Sequence, residues 1–255
     1  MKIDLNADLG EGFGPYRMGD DEALLDVLSS ANVACGYHAG DPVIMDRTAR
    51  MALARGIDLG AHVGFPDLLG FGRRPMAVDP KELATYVLYQ LGALAGIAAA
   101  AGHRMTHMSF HGALGNMAAA DAALAEPLVQ AVAAFDRTLI VSSSPSQAIE
   151  GAAARHGLRV ASVFLADRAC DDSGLVVPRA LPGAVIKDES TVLQRVDQLL
   201  HEGTVTTYSG KTLPVRAHSI LLHGDTPGAV ALARTVRSAI ESGGGQVVPI
   251  SRILA

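Results

Sequence analysis

The chain has 255 residues, of which 49% are hydrophobic and 18% are charged, and its formal net charge at pH 7 is −5. This length and composition suit a single globular α/β domain with a large core, spanning residues 1–255. The negative charge and the lack of a long basic run argue against nucleic acid and anionic membrane surfaces as partners. With no Trp and only 4% aromatic residues, a base-stacking surface is not expected either.

The cysteine content and the N-terminal sequence predict a cytoplasmic protein. Cys35 and Cys170 are too few to form a disulfide framework in a chain of this length, so we expect free thiols. The first residues, MKIDLNADLGEG, start a strand at once and lack the charged and apolar regions of a signal peptide. The longest apolar stretch, residues 91–101, is rich in Ala and Gly and is too short to span a bilayer.

Short β-branched or aliphatic runs alternate along the chain with longer segments of helical period. The runs predict strands over Ile3–Ala7, Val33–Cys35, Asp58–Val63, Met105–Phe110, Leu139–Ser142, Val160–Phe164 and Ile220–Leu222. The longer segments predict helices near Glu22–Ser29, Pro42–Arg55, Pro80–Ala101, Ala120–Ala134, Ser146–His156, Glu189–His201 and Pro227–Ser242. Such strand-then-helix units indicate parallel strands with right-handed crossovers. They fit a seven-stranded (β/α) barrel, with a doubly wound open sheet as the alternative.

One segment interrupts this alternation before the last strand. Residues 203–219 read GTVTTYSGKTLPVRAHS, with two β-rich arms on either side of Ser209-Gly210. This pattern predicts a β-hairpin inserted into the barrel. No internal repeat and no second domain are indicated, so we expect one barrel domain that carries this insertion.

The residues that follow the predicted strands are rich in groups that carry chemistry. In parallel α/β structures the catalytic side chains gather at the C-terminal ends of the strands. Four histidines, His38, His62, His111 and His223, fall at separate strand ends, each with a glycine within two residues. A single such histidine is explained equally well as a buried structural residue. Four of them near Asp and Glu residues indicate an active site.

The sequence also contains two helix starts with a capping carboxylate and several motifs that are weaker indicators of function. Asp41-Pro42 and Asp225-Thr226-Pro227 place a capping carboxylate before a proline, and the loop before each could direct backbone N–H groups at an anion. The glycine-rich stretch GEGFG is neither a P-loop nor a dinucleotide fingerprint, and no G-x-S-x-G elbow is present. Cys35 is better explained as a buried, inert thiol than as a nucleophile.

The motifs together resemble a known family. LNADLGEGFG, SANVACGYHAGDP, GAHVGFPDLLGFGRR, HGALGN, ADR, VPRALPGAVI and LLHGDTPGAV follow one another between about Ile3 and Ala229. In this order they resemble the signatures of the family of 5-oxoprolinase A subunits, also called LamB/YcsF. The resemblance implies a barrel related to the glycoside hydrolase/deacetylase barrels. It also implies a chain that works with the 5-oxoprolinase subunits B and C in the ATP-dependent opening of 5-oxoproline (pyroglutamate) to L-glutamate.

That reaction assigns roles to the strand-end residues. Phosphorylation of the lactam oxygen by ATP would create an electrophile, and water would then attack the ring carbon, with Mg²⁺ accompanying the nucleotide. The catalytic candidates are Asp8, Glu11, His38, Asp41 and His62. The candidates for binding substrate or phosphate are Asn6, Arg73, His111, Asn116, Arg168, Arg179 and His223. The identity of a divalent metal is left open, with Asp8, His38 and His62 as its candidate ligands.

The chain departs from the family pattern at the centre of the barrel. The family usually has Lys and Tyr where this chain has Ser109 and Gly115, and it has a Glu where this chain has Ser162 or Val163. A Tyr of the family is replaced by Cys170. Loss of the Lys removes a phosphate or carboxylate contact and its charge. Two alternatives therefore stay open: a stand-alone metal-dependent amidohydrolase or deacetylase acting on another lactam or amide, and a catalytically silent binding paralogue. Self-association of the chain is also left open.

Overall fold

A closed barrel of parallel strands forms the centre of the protein, which we describe from a computed structural model for residues 1–224 and 228–255. The strands follow the order β1-β2-β3-β4-β5-β6-β9, and β9 pairs back onto β1. They are β1 (Lys2–Leu9), β2 (Ser30–Ala34), β3 (Asp58–Val63), β4 (Met105–Phe110), β5 (Ile140–Ser143), β6 (Arg159–Leu165) and β9 (Ser219–Leu222). The predicted seven-stranded (β/α) barrel is confirmed, and the alternative of an open sheet is wrong.

Helices surround the barrel and bury their apolar faces against it. They are α1 (Asp21–Leu25), α2 (Pro42–Arg55), α3 (Pro80–Ala100), α4 (Gly112–Ala120), α5 (Ala122–Phe135), α6 (Gln147–His156), α7 (Glu189–Glu202), α8 (Ala229–Ser242) and α9 (Ile250–Ile253). The α4 helix was not predicted, and α1 ends earlier than predicted because Ser29 bonds to β1 and Ser30 already belongs to β2. The predicted cap at Asp225-Thr226-Pro227 lies outside the described residues.

Three short strands lie outside the barrel. The strands β7 (Thr204–Thr206) and β8 (Thr212–Pro214) pair antiparallel within the segment that predicted a hairpin. The strand β10 (Gln246–Val247) adds to the outside of β1 in parallel. Among the described residues, α3 is long and apolar enough to cross a membrane, and so is the bent pair of α4 and α5 if the two are counted as one span. Core helices often share this composition, and the side chains of Leu83, Val87 and Leu91 on α3 are buried in the protein core.

The interior of the barrel is polar instead of being filled with branched apolar side chains. Side chains alternate along β1, so that Asp4, Asn6 and Asp8 share one face. Hydroxyl groups of Ser29, Ser30 and Ser219, together with Asn6 Nδ2, donate to the Asp4 carboxylate. Higher in the barrel, His107 Nε2 bonds to Asn32 Oδ1 at 3.0 Å, which joins the non-adjacent strands β4 and β2. The buried polar groups thus satisfy one another and form a rigid floor below the strand ends.

Candidate active site

Four buried side chains from separate strand ends converge on one point, and we call them the Glu–His cluster. Glu11 follows β1, His38 follows β2, His62 lies on β3, and His111 precedes α4. Their exposed fractions are 7%, 0%, 4% and 4%. One ligand atom from each residue lies within 4.8 Å of the others, so the cluster could hold a metal ion.

Close contacts hold the cluster together. His38 Nε2 lies 3.2 Å from Glu11 Oε1, and His111 Nδ1 lies 2.9 Å from His62 Nε2. The rings of His38 and His111 are stacked, with centroids 3.7 Å apart. Burial, together with the neighbouring histidines, lowers the pKa of His111 to about 3 and that of His38 well below its ordinary value. Both imidazoles are therefore neutral at pH 7, and each has a lone pair to offer.

A glycine in the loop after β3 makes room for the two stacked rings. Gly72 has a φ of +62°, and a Cβ there would lie 2.7 Å from His38 Cβ and 2.8 Å from His111 Cδ2. The carbonyl of the preceding residue, Phe71, accepts a hydrogen bond from His111 Nε2 at 2.8 Å. The loop backbone therefore fixes the orientation of His111, and only glycine fits at position 72.

Asp8 stands beside the cluster and lines a cavity at the C-terminal ends of the strands. Its Oδ2 atom lies 3.3 Å from His62 Nε2, and its Oδ1 atom accepts a hydrogen bond from Asn32 Nδ2 at 3.0 Å. Burial raises the pKa of Asp8, but the charge and hydrogen bond of His62, with help from His223 and Asn32, more than offset this and lower it. Asp8 is thus a fixed negative charge at the cavity floor.

Another histidine, His223, lines the same cavity and is paired with a carboxylate. His223 Nδ1 lies 2.8 Å from Asp167 Oδ2, and the backbone N–H of His223 donates to the same oxygen at 3.2 Å. Burial opposes ionisation of Asp167, but His223 outweighs it and lowers the pKa of this carboxyl. A carboxylate that orients an imidazole is the arrangement of a general acid–base catalyst.

Three arginines, Arg73, Arg168 and Arg179, also line the cavity. Arg168 is 7% exposed and donates hydrogen bonds to the carbonyls of Ala184 and Val177. Burial and the nearby Arg179 lower its pKa to about 10, so the guanidinium stays charged at pH 7. Arg73 lies over the ring of Phe71, with its Cζ 4.7 Å from the centroid. Cationic groups that share one cavity are suited to bind a carboxylate or a phosphate.

The cavity has a volume of about 580 Å³ and one largely apolar wall. The apolar lining consists of Phe110, Met117, Ile149, Val163, Leu165, Val176 and Leu221. Ser142 also lines it, and the Ser142 hydroxyl is buried with no hydrogen-bond partner among the described residues. This combination of an apolar wall and a few convergent polar groups is typical of a small-molecule site.

Ten of the twelve predicted site residues lie in the cavity wall or in the adjoining Glu–His cluster. Among the described residues that line the cavity, neither Asn6 nor Asp41 is found. Asn6 lies one inward position below Asp8 and bonds to Ser219. Asp41 caps α2 and also accepts a hydrogen bond from the backbone of Gly14.

Sequence reasoning missed Asn32 as a site residue. Asn32 lines the cavity and bonds to Asp8. Its signal was a lone amide side chain within the otherwise apolar run Ala31–Ala34. The prediction for Cys35 agrees with the structure, because burial raises the pKa of this thiol to about 12.

Three positions that depart from the family pattern border the cavity. Ser109, Gly115 and Val163 all line it. Ser109 Oγ lies 2.7 Å from His62 Nδ1. Of the two candidates for the family's Glu position, Val163 faces the cavity, whereas the backbone N–H of Ser162 donates to His218.

Comparison with known proteins gives matches over nearly the whole chain. The profile of the LamB/YcsF family matches residues 3–255. A protein of Pseudomonas syringae pv. tomato, named as a 5-oxoprolinase A subunit (number 1), is 68% identical, over 100% of this chain and 99% of its own length. One of Ralstonia nicotianae, named as a 5-oxoprolinase A subunit (number 2), is 66% identical, over 100% and 98%. The crystal structure of the lactam utilization protein from Thermus thermophilus superposes with a TM-score of 0.90 at 41% identity, over 97% of this chain and 99% of that chain.

Proposed function

The chain belongs to the LamB/YcsF family, and we propose that it opens the lactam ring of 5-oxoproline to L-glutamate as one component of an ATP-dependent 5-oxoprolinase. The observation that carries this proposal is a single cavity in which Asp8 and His223 share the walls with three arginines, with Asp167 hydrogen-bonded to His223. A cyclic amide that bears a carboxylate requires both kinds of group. The names of the relatives, which refer to 5-oxoprolinase and to lactam utilization, support the same substrate class.

The arginines are assigned to the anionic parts of the substrates. A guanidinium binds a carboxylate or a phosphate through paired N–H donors. Arg168 suits this role best, because two backbone carbonyls hold its guanidinium in place before any ligand arrives. Arg73 and Arg179 add positive charge that would stabilise the negative charge of the phosphoryl group during its transfer to the lactam oxygen.

His223 is assigned to proton transfer during ring opening. Water attacks the lactam carbon, the C–N bond breaks, and the departing nitrogen takes up a proton. An imidazole held by Asp167 can accept the proton of the attacking water and return it to the nitrogen. Asp8 adds a fixed negative charge that stabilises the protonated form of this imidazole, which fits its electrostatic interaction with His223.

ATP and Mg²⁺ are the cofactors of this proposal. Transfer of the γ-phosphoryl group to the lactam oxygen turns a poor electrophile into a good one. Attack of one water with cleavage of the C–N bond then leaves an acyl phosphate, and a second water hydrolyses it to glutamate and phosphate. Mg²⁺ would accompany the phosphates, since it prefers oxygen ligands and commonly binds nucleotides in this way.

The partners and the compartment belong to the same proposal. The relatives are named as one subunit of 5-oxoprolinase, which supports a complex with further subunits. We identify these as the 5-oxoprolinase subunits B and C, with self-association of this chain left open. We place the complex in the cytoplasm, where ATP is available. Both cysteines of the chain are free thiols, in keeping with a reducing compartment.

A second function is favoured by the Glu–His cluster. A metal ion held there would act as a Lewis acid on an amide carbonyl, as in metal-dependent amidohydrolases. Such an enzyme would hydrolyse its lactam or amide without ATP and without partner subunits. The dependence on ATP therefore separates the two proposals.

The test is reconstitution with the B and C subunits, in which glutamate release from 5-oxoproline is measured with and without ATP. We expect release that needs both ATP and this chain, that is lost in His223→Ala, and that is kept in His201→Ala, a change at an exposed histidine. Release without ATP would favour the amidohydrolase. No release, when the Pseudomonas syringae relative works with the same partners, would identify a catalytically silent paralogue.

A further inference from the structure

The spacing of the donor atoms in the Glu–His cluster matches a four-coordinate metal shell. In a tetrahedral Zn²⁺ site with Zn–N distances of about 2.0–2.1 Å, neighbouring donors lie about 3.3–3.4 Å apart. The cluster has 2.9 Å between His111 Nδ1 and His62 Nε2, and 3.2 Å between His38 Nε2 and Glu11 Oε1. It has 3.6 Å between His111 Nδ1 and Glu11 Oε1. These three distances lie on both sides of the tetrahedral edge, and all donor pairs of the cluster lie within 4.8 Å, so an ion would draw the more distant donors inward.

The hydrogen bonds of the outer ring nitrogens point the lone pairs inward. Phe71 O can only accept, so His111 carries its proton on Nε2 and presents the lone pair of Nδ1 to the cluster. His62 Nδ1 bonds to Ser109 Oγ at 2.7 Å, and His62 Nε2 donates to the lone pair of His111 Nδ1 at 2.9 Å, so a metal ion bound here would take the place of that proton. Metal-bound histidines are usually held in this way, with the outer nitrogen bonded to a protein group.

Within the cluster two acceptors lie close together, and one nitrogen has no hydrogen-bond partner among the described residues. The Nδ1 lone pair of His111 and the carboxylate oxygen of Glu11 are both acceptors, and they face each other in a buried, low-dielectric place. His38 Nδ1 is buried and has no hydrogen-bond partner among the described residues. A cation placed between the inward-facing donors would remove the repulsion between the two acceptors.

We propose that Glu11, His38, His62 and His111 bind one transition-metal ion of the Zn²⁺ class in a closed, structural shell. Three imidazole nitrogens and one carboxylate suit Zn²⁺, Co²⁺ or Ni²⁺, whereas Mg²⁺ prefers an all-oxygen shell. Four protein donors fill a tetrahedron and leave no position for a reacting water or an amide carbonyl, so an ion bound in this way would not serve the amidohydrolase alternative. The ion would hold His62 beside Asp8 and so order the cavity floor. This assignment is independent of the proposed lactam chemistry.

Metal binding to the purified, metal-stripped full chain tests the proposal without any assay of activity. We expect one bound Zn²⁺ per chain by elemental analysis, and affinity for Zn²⁺ at least about 100-fold above that for Mg²⁺ in a competition titration with a chelating dye. Co²⁺ should give the intense visible bands of a tetrahedral site. Zn²⁺ should raise the midpoint temperature of unfolding, and Mg²⁺ should leave it unchanged. Equal binding of Mg²⁺ and Zn²⁺ would overturn the assignment.

Variants locate the site within the chain. Glu11→Gln keeps the shape of the side chain, and His38→Ala removes a ligand. Both should lose the tetrahedral Co²⁺ spectrum. Ser109→Ala removes only the outer hydrogen bond of His62 and should weaken Zn²⁺ binding by about 10–100-fold. His201→Ala, at an exposed histidine, should bind Zn²⁺ as the wild type does. If Glu11→Gln, folded by circular dichroism, kept the wild-type affinity and spectrum, the proposal would be wrong whatever the fate of His38→Ala.

Discussion

Replacing Asp167 by Asn tests whether the His223–Asp167 pair performs the proton transfer. The carboxylate contacts His223 twice, at Nδ1 (2.8 Å) and at the backbone N–H (3.2 Å). Asn has the same shape and can keep one of these bonds through its amide oxygen. The negative charge that stabilises a protonated His223 is lost, and the amide NH₂ can bond to the ring in the wrong orientation.

The size of the effect follows from the role of the pair. General acid–base catalysis by one positioned group contributes about 10²–10⁴-fold to a rate, so we expect kcat of Asp167→Asn to fall by that factor. The KM for 5-oxoproline should change little, because the arginines that we assign to the anionic parts of the substrates are untouched. A fall in kcat without a matching change in KM marks an interaction that acts mainly in the transition state.

Stability should respond to the same substitution in a pH-dependent way. The pKa of Asp167 is lowered below its ordinary value of 3.8, since His223 outweighs the effect of burial. The ionised carboxylate therefore stabilises the fold above about pH 4, and this contribution is lost as the pH falls through the lowered pKa. We expect Asp167→Asn to reduce the free energy of unfolding by about 1–3 kcal/mol at pH 7, and by less in acid.

The values of kcat and KM are measured from glutamate release by the reconstituted complex. The free energy of unfolding is measured by urea denaturation at pH 7 and at pH 3. The matched control is Asp188→Asn at the exposed N-cap of α7, where Asn caps as well as Asp. A kcat for Asp167→Asn within about threefold of the wild type, in a folded protein, would remove His223 from proton transfer, since the loss expected is about 10²-fold or more.

Three further substitutions test other parts of the site and the barrel. Arg168→Lys removes the guanidinium group that donates to two backbone carbonyls. The KM for 5-oxoproline, measured in initial-rate assays, should therefore rise about tenfold or more. Gly72→Ala places a Cβ 2.7 Å from His38 Cβ and should lower the urea-unfolding free energy by about 1–3 kcal/mol more than Gly56→Ala does, a control with similar φ and open space. Asp4→Asn turns an NH₂ group toward four converging donors and should cost about 1–3 kcal/mol in the same assay. A loss of stability in Gly72→Ala no larger than in Gly56→Ala, or wild-type stability in Asp4→Asn, would contradict the packing described.

Much of the fold could be predicted because its signals are local. The apolar runs gave the bounds of β3 and β4 directly, and Asp41-Pro42 marked the start of α2. The α4 helix escaped prediction because its sequence, GALGNMAAA, contains two glycines and follows a strand end that predicts a loop. Its formation depends on contacts with β4, α5 and α6, which no local pattern reveals.

The site could be predicted as a set of residues but not as an arrangement. Parallel strands bring their C-terminal ends together, so histidines at separate strand ends were expected to meet, and three of them do in the Glu–His cluster. Sequence could not show that His223 pairs with Asp167, since that contact depends on the pairing of β6 with β9. Nor could the sequence show that the Asn6 side chain lies below that of Asp8, deeper in the barrel, where it does not line the cavity.

The barrel divides its chemistry between two sides. The elements from β1 to β4 supply Asp8 and the Glu–His cluster, whereas those after β6 supply Asp167, Arg168 and His223. Gly115 and Val163 lie in the wall of the same cavity. Because neither side chain is charged, a substitution at either position alters the shape of the cavity without removing a charged group. A side chain at position 115 would meet Phe110 O, since a Cβ there lies only 2.5 Å away. The cavity is therefore shaped at Gly115 by the backbone itself, and a larger side chain there requires α4 to move.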